Sequence, residues 1–309
     1  MQDIERAAVL GAGVIGASWT ALFLARGLSV AVYDPAPAAE DFVRDYVAQA
    51  WPTLEELGLV DDGDPARVYF HDSPAAAVKK ALFVQESVPE QLELKLAVFA
   101  EIEPHLLPEA IVSSSASGLM VREMQKGWRD PSRFVLGHPF NPPHLIPLVE
   151  VIGNERTDED AIAGAEAFYR RMGKVTIRVR REVPGHVANR LQAALWREAI
   201  HLVAEGVASV EDVDKAIWAG PGLRWAAMGP HMLFHLAAGP GGLAEFCKRY
   251  GPSTSRWWAD LGRPELTADV IATLVEGVMA EAGDKSLAET AAQRDALIRA
   301  MLAATKGLR

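Results

Sequence analysis

A glycine pattern at a strand-to-helix junction restricts this chain more than any other feature. Residues 7–11 read AAVLG, a short apolar run with strand character, and Gly11-Ala-Gly13-Val14-Ile15-Gly16 opens a helical pattern over 14–27. Glycines at this spacing permit a tight turn, close approach of the backbone to a pyrophosphate, and close packing of helix on strand. The helix N-terminus then offers free N–H groups and a favourable dipole to an anion. An ordinary strand–turn–helix can carry the same glycines, so the neighbouring residues matter. A second strand-like run, 29–34, ends on Asp34, 18 residues after Gly16, and Pro35 follows it. A carboxylate there suits the adenosine ribose hydroxyls and repels a 2′-phosphate, which points to NAD rather than NADP.

The rest of the first half keeps the same rhythm. Apolar runs at 68–71, 81–86, 110–115 and 134–140 alternate with helical patterns at 37–57 and 91–103. A further strand pair, 147–153 and 174–180, flanks a helix at 158–172. Alternation of this kind predicts an α/β fold, an N-terminal doubly wound, mostly parallel sheet. The character changes at Val183-Pro184-Gly185. Beyond it, 186–206, 267–282 and 286–305 read as helices. Ser209 and Ser286 stand at N-cap positions, and GPGLRW (220–225) and AAGPGG (237–242) interrupt the helical pattern. The predicted layout is an NAD-binding domain over 1–183 and an all-α C-terminal domain over 184–309.

Composition excludes several classes of function. A net charge of −10 across 309 residues gives no basic surface for a nucleic-acid duplex. The single cysteine, Cys247, allows no internal disulfide, which fits a cytoplasmic protein. The N-terminal stretch has no basic segment leading an apolar core, and its longest apolar run is full of glycine and ends at Arg26. No signal peptide or membrane span is expected. His144, His231 and His235 lack ligand spacing with carboxylates or cysteines, so no metal is expected.

Residues 136–150, LGHPFNPPHLIPLVE, are unusual in a soluble chain. Prolines at 139, 142, 143 and 147 stiffen the connection between His138, at the end of one strand-like run, and Glu150, inside the next. Imidazole as a side-chain type is suited to take a proton from an alcohol at neutral pH, and a carboxylate on one ring nitrogen fixes its orientation. A core histidine with a glutamate on an edge strand is the plainer reading. The dinucleotide loop in the same domain favours the chemical one.

These residues, with GAGVIGASW, QESVPEQLELK, SSSASGL and EVPGHVANRL, resemble the 3-hydroxyacyl-CoA dehydrogenase superfamily over essentially the whole chain. The resemblance implies a Rossmann-type domain, a helical domain that also forms a homodimer, and hydride transfer between a 3-hydroxyl-bearing carbon and NAD. It implies His138 as the base, Glu150 as its carboxylate partner, Ser117 on the substrate oxygen and Asn189 near the reacting centre. It also implies Glu90 and Lys95 near the nicotinamide-side ribose, and Asn141 beside the site. Ser113–Ser115 and Ser117 as turn caps, and Asn189 as a surface helix residue, are the alternatives.

The wording is closer to the branch of lambda-crystallin (L-gulonate 3-dehydrogenase) and carnitine 3-dehydrogenase than to the acyl-CoA enzymes. The acyl-CoA branch carries a lysine-rich hairpin after the second strand. Here residues 35–78 contain no lysine and, apart from His71, only Arg44 and Arg67 as basic residues, against nine acids. That surface is unfavourable for CoA phosphates. Ser115 also stands where the acyl-CoA branch usually has asparagine. The implied substrate is a small free 3-hydroxy acid. Arg224 is then a candidate partner for its carboxylate or, alternatively, a surface ion pair. Trp218 and Trp225 read as helix packing or as an aromatic surface for a trimethylammonium group. A short-chain 3-hydroxyacyl-CoA dehydrogenase is the first alternative; an NAD-binding structural or sensory protein of crystallin type is the second. The Arg178, Arg180, Arg181 run reads as a solvated strand edge.

Overall fold

The computed structural model describes residues 4–307. The chain divides into two compact units, one ending at Arg190 and the other beginning at Leu191. The division falls just inside a helix, seven residues past Val183, because backbone N–H groups at 187 and 188 are tied to a carboxylate of the first unit.

The first unit is built on eight strands: β1 (Arg6–Leu10), β2 (Ser29–Tyr33), β3 (Val68–Phe70), β4 (Phe83–Glu86), β5 (Ile111–Ser114), β6 (Phe134–Pro139), β7 (Leu148–Ile152) and β8 (Val175–Val179). Its helices are α1 (Val14–Ala25), α2 (Ala39–Glu56), α3 (Pro74–Val78), α4 (Leu92–Ile102), α5 (Val121–Met124) and α6 (Glu159–Arg171). All the expected strands and helices form, with ends within about two residues of the expected ones, the usual fraying of such boundaries. The strand order is β3-β2-β1-β4-β5-β6-β7-β8. Every neighbouring pair is parallel except β6–β7, which runs antiparallel. The sheet is therefore mostly parallel, with a reversal near one edge.

Both faces of the sheet are covered, so its strands are apolar on both sides. One face packs Trp19 and Phe23 of α1 against Phe83, Phe168 and Tyr169. The other packs Phe99 of α4 against Trp128 and Phe134. Arg178 is not simply solvated: its guanidinium pairs with Glu166 at 2.9 Å and also with Glu159. Two carboxylates brought up by α6 explain the correction.

The second unit is helical. Helix α7 (Ala188–Ala204) leads into it, followed by α8 (Val210–Trp218), α9 (Pro221–Ala227), α10 (Pro230–Ala237), α11 (Gly242–Asp260), α12 (Ala268–Ala282) and α13 (Leu287–Thr305). Ser209 caps α8, Thr267 caps α12, and Ser286 forms a capping box with Glu289 on α13. The GPGLRW segment breaks the helical pattern at Gly220, but Pro221 then starts α9. Proline suits the first turn of a helix, where its missing N–H costs nothing. Arg224 and Trp225 are thus helical residues.

Candidate active site

The site is built at the reversal of the sheet. Antiparallel pairing sets His138 of β6 directly opposite Glu150 of β7. Opposed residues on such a pair project to the same face with their side chains in contact range. The His138 Nδ1 lies 2.8 Å from Glu150 Oε2, and both side chains are buried. The other Glu150 oxygen accepts from the N–H groups of Val187 at 2.9 Å and Ala188 at 3.0 Å, where α7 begins. Burial works to raise the Glu150 pKa. The hydrogen bond from His138 and the two backbone donors outweigh it, and the carboxyl is held below its ordinary value. A proton-free carboxylate can only accept, so Nδ1 carries the ring proton. The Nε2 lone pair then faces Ser117, whose Oγ stands 3.1 Å away.

Ser117 follows β5 on a loop that is itself clamped. The Glu90 carboxylate accepts from the N–H groups of Ser117 and Leu119, and also from Gly118. Burial opposes ionisation of Glu90, but these three donors, with Lys95 nearby, leave its pKa lowered. Lys95 lies deeper, 1% exposed, with its ammonium 2.6 Å from Glu86 and 3.0 Å from the Val88 carbonyl. Lys95 thus pins the strand end that precedes Glu90. Asn189 lies half-buried on the first turn of α7, beside Ala188.

The proline segment is held from two sides. Within it the Asn141–Pro142 bond is cis, and Asn141 is exposed. The Ser18 hydroxyl of α1 accepts from the His144 N–H at 2.8 Å and meets its ring at 2.9 Å. From the other side, Lys174 donates to the Pro143 carbonyl and, at 2.8 Å, to that of Ile146, with its ammonium over the Trp19 ring. Burial lowers the Lys174 pKa to about 7.

The glycine loop lies at the C-terminal end of β1. Gly11 has φ +90°, a conformation that disfavours any side chain. A Cβ at Gly16 would run into the Gly11 carbonyl, whereas Gly13 has open space beside it. No side chain caps α1 and no acid occupies its first turn, so the N–H groups of Val14, Ile15 and Gly16 face that space. The Asp34 carboxylate accepts from Ala12 N–H at 2.7 Å and Ala36 N–H at 2.9 Å, joining the end of β2 to the loop. A backbone that admits an anion at Gly13, with a carboxylate beside it, fits a dinucleotide.

In the helical unit, Trp218 ends α8, and Arg224 and Trp225 lie on α9. All three are exposed, and Arg224 has no ion pair among the described residues. Among the described residues no group of three or more His, Cys, Asp or Glu could hold a metal ion, and no helix is long and apolar enough to cross a membrane.

Two site residues escaped the sequence reading. Lys174 offers no signal in sequence, since a lone lysine before a strand is ordinary. His186 does offer one: a histidine directly after Gly185, at the point where the character of the chain changes. Its ring lies 5.2 Å from that of His138.

The NAD-binding domain model of 3-hydroxyacyl-CoA dehydrogenase matches residues 6–183, and the C-terminal domain model of the same enzymes matches 185–264. The chain belongs to the 3-hydroxyacyl-CoA dehydrogenase family and is an NAD-dependent oxidoreductase. Within that class it is 48% identical to an L-carnitine dehydrogenase of Nocardiopsis dassonvillei, over 99% of this chain and 92% of that protein. It is likewise 48% identical to one of Streptomyces coelicolor, over 98% and 96%. Among solved structures, 5-formyl-3-hydroxy-2-methylpyridine 4-carboxylic acid 5-dehydrogenase, described as an NAD+-dependent dismutase, superposes with a TM-score of 0.83 at 32% identity, covering 98% of each chain.

Proposed function

We propose that the protein oxidises the 3-hydroxyl of a small free 3-hydroxy acid, of carnitine or gulonate type, to the 3-oxo acid. The observation that carries this reading is the line Ser117–His138–Glu150, with separations of 3.1 and 2.8 Å. His138 Nε2 takes the hydroxyl proton, and Ser117 holds the oxygen in line with it. Glu150 keeps the ring in one tautomer and stabilises the imidazolium that forms. NAD, when bound, accepts the hydride from the same carbon. Asn189 is a second polar group for the oxygen. Glu90 and Lys95 shape the loop on the nicotinamide side, and Asn141 borders it. Gly11, Gly13, Val14, Ile15 and Gly16 hold the pyrophosphate, and Asp34 the adenosine ribose.

Two observations support a free acid over a CoA ester. The names of the relatives are one. The other is the surface over 35–78, whose arginines are both engaged. Arg44 pairs with Glu40 at 2.7 Å, and Arg67 donates to the Gly27 carbonyl with Asp64 beside it. Neither arginine there is left free for CoA phosphates. Arg224, with no ion pair among the described residues, suits a carboxylate, and Trp218 and Trp225 offer indole faces suited to a quaternary ammonium.

We also infer a homodimer formed through the helical unit. Helices α7, α8 and α12 enclose an apolar groove of about 420 Å³ lined by Trp196, Ile200, Val213, Val278 and Met279. An apolar face of this kind is suited to burial against a second copy.

The reading is tested by NADH formation from L-carnitine, L-gulonate, 3-hydroxybutyrate and 3-hydroxybutyryl-CoA. Turnover of a free acid is expected. Efficient turnover of the CoA ester, with none of the free acids, would overturn it.

A further inference from the structure

His186 is a histidine that packing alone does not account for. It is 3% exposed, yet neither ring nitrogen has a hydrogen-bond partner among the described residues. Buried imidazoles are normally satisfied, and an orphaned one is disfavoured. Its backbone adds to the disadvantage, with φ +52°, the left-handed region that residues other than glycine rarely enter. Gly185 before it has φ +73°, so the chain turns sharply at this point and delivers the ring against that of His138. No hydrogen bond joins the two rings, so His186 is not a link in the His138–Glu150 chain.

We propose that His186 is a substrate-binding residue that donates a ring N–H to the carboxylate of the 3-hydroxy acid. This rests on the reading of function given above. The oxygen to be oxidised is already addressed by His138 and Ser117. In a free 3-hydroxy acid the carboxylate lies two carbons along, and a ring beside His138 is placed to meet it. Burial, and after it the nearby His138, hold the His186 pKa below its ordinary value. Glu150, the Ala116 carbonyl and Glu90 work in the opposite direction without reversing it. The Ala116 backbone favours the charged ring, but among the described residues neither nitrogen meets an acceptor in full hydrogen-bond geometry. A neutral imidazole keeps one donor for the substrate and does not compete with His138 for the proton being transferred. In an acyl-CoA substrate the same position holds a thioester, which carries no charge, so the device favours free acids.

The test is steady-state kinetics of wild type, His186→Phe and His186→Gln on L-carnitine, L-gulonate and 3-hydroxybutyrate and on the methyl ester of each, with NADH affinity measured separately. For the acid turned over, His186→Phe should raise KM about tenfold or more, equivalent to ~1.4 kcal/mol, while kcat and NADH affinity change little. His186→Gln, which keeps an N–H, should recover part of the loss. The preference for acid over ester should shrink in the Phe variant. An unmoved KM, or an unchanged acid-to-ester ratio, overturns the inference alone. A wild type inactive on every free acid overturns the reading of function and this inference with it. Should His186→Phe fail to bind NADH, His186→Ala decides on the same KM criterion.

Discussion

The two units of this chain solve the problem of burial differently. The sheet unit covers both faces of eight strands and joins several of its buried polar groups to one another. Gln85, Ser113 and Tyr169 bond one another at 2.7–3.2 Å, and Glu86 holds Lys95 at 2.6 Å. In the helical unit only Ile200, Val210 and Val213 are buried apolar side chains among the described residues. Trp257 and Trp258 are each more than 60% exposed (66% and 69%). The first unit can hold chemical groups in register because it supplies its own core. The second presents apolar surface, as an element designed to meet something else does.

The largest effect expected lies in the sheet unit. His138→Ala should lower kcat by roughly 10²–10⁴-fold while leaving NADH binding intact, as measured by fluorescence titration. Glu150→Gln should give a smaller loss, because the ring remains but is no longer held by a carboxylate. Unchanged turnover in His138→Ala would remove the basis for the proposed mechanism.

The next test attacks the helical side of the comparison. Val278→Asp places a charge in the apolar groove. It should convert the proposed dimer to monomer in light scattering and leave the thermal unfolding of the sheet unit nearly unchanged. A wild type that is monomeric at micromolar concentration would show that the exposed face has another purpose.

A matched pair of small changes sharpens the contrast. A Cβ at Gly137 would strike the Tyr169 hydroxyl and the Ser113 hydroxyl. Gly137→Ala should therefore cost about 1–3 kcal/mol in denaturant unfolding. Leu287→Ala, at a fully solvated position of the helical unit, should fall within about 0.5 kcal/mol of wild type. Equal effects would mean that Leu287 is covered in solution.

The pH dependence of stability should also come from the sheet unit. Glu90, Glu150 and Glu166 have folded pKa values below their ordinary 4.5. Their stabilising contribution is complete above 4.5 and is lost as pH falls through the lower folded values. Lys174 works in the same sense over a higher window, because burial disfavours its charged form. It sheds its proton near 7 when folded and near 10.5 when unfolded, so stability should rise with pH across that interval. Urea midpoints should rise with pH across each window, and Lys174→Met should abolish only the rise between about 7 and 10.5.

Much of the fold is legible in the sequence because each element carries its own signal. The β1 run, the glycine loop and Asp34 lie within a short stretch of chain, and local spacing is enough to read them. The helical half declares its starts through Ser209 and Ser286, whose caps are local hydrogen bonds. His138 and Glu150 were legible as a pair through their flanking prolines and the family wording. The antiparallel pairing that sets them opposite each other was not, since strand direction depends on how the chain returns to the sheet. Lys95 shows the same limit. Its place in PEQLELK associates it with Glu90, while the fold buries its ammonium against Glu86.

By itself, then, the sequence determined the class of fold, the nucleotide loop, the acidic surface over 35–78 and the residue types available for proton transfer. These are properties of neighbours along the chain. Tertiary structure alone decided the His138–Glu150 register, the Glu90 clamp on the Ser117 loop, the anchoring of the proline segment by Lys174, and the place of His186 beside His138, its ring nitrogens without a partner among the described residues. Each of these joins residues from separate elements, and their distances follow from packing and strand pairing rather than from spacing in the sequence.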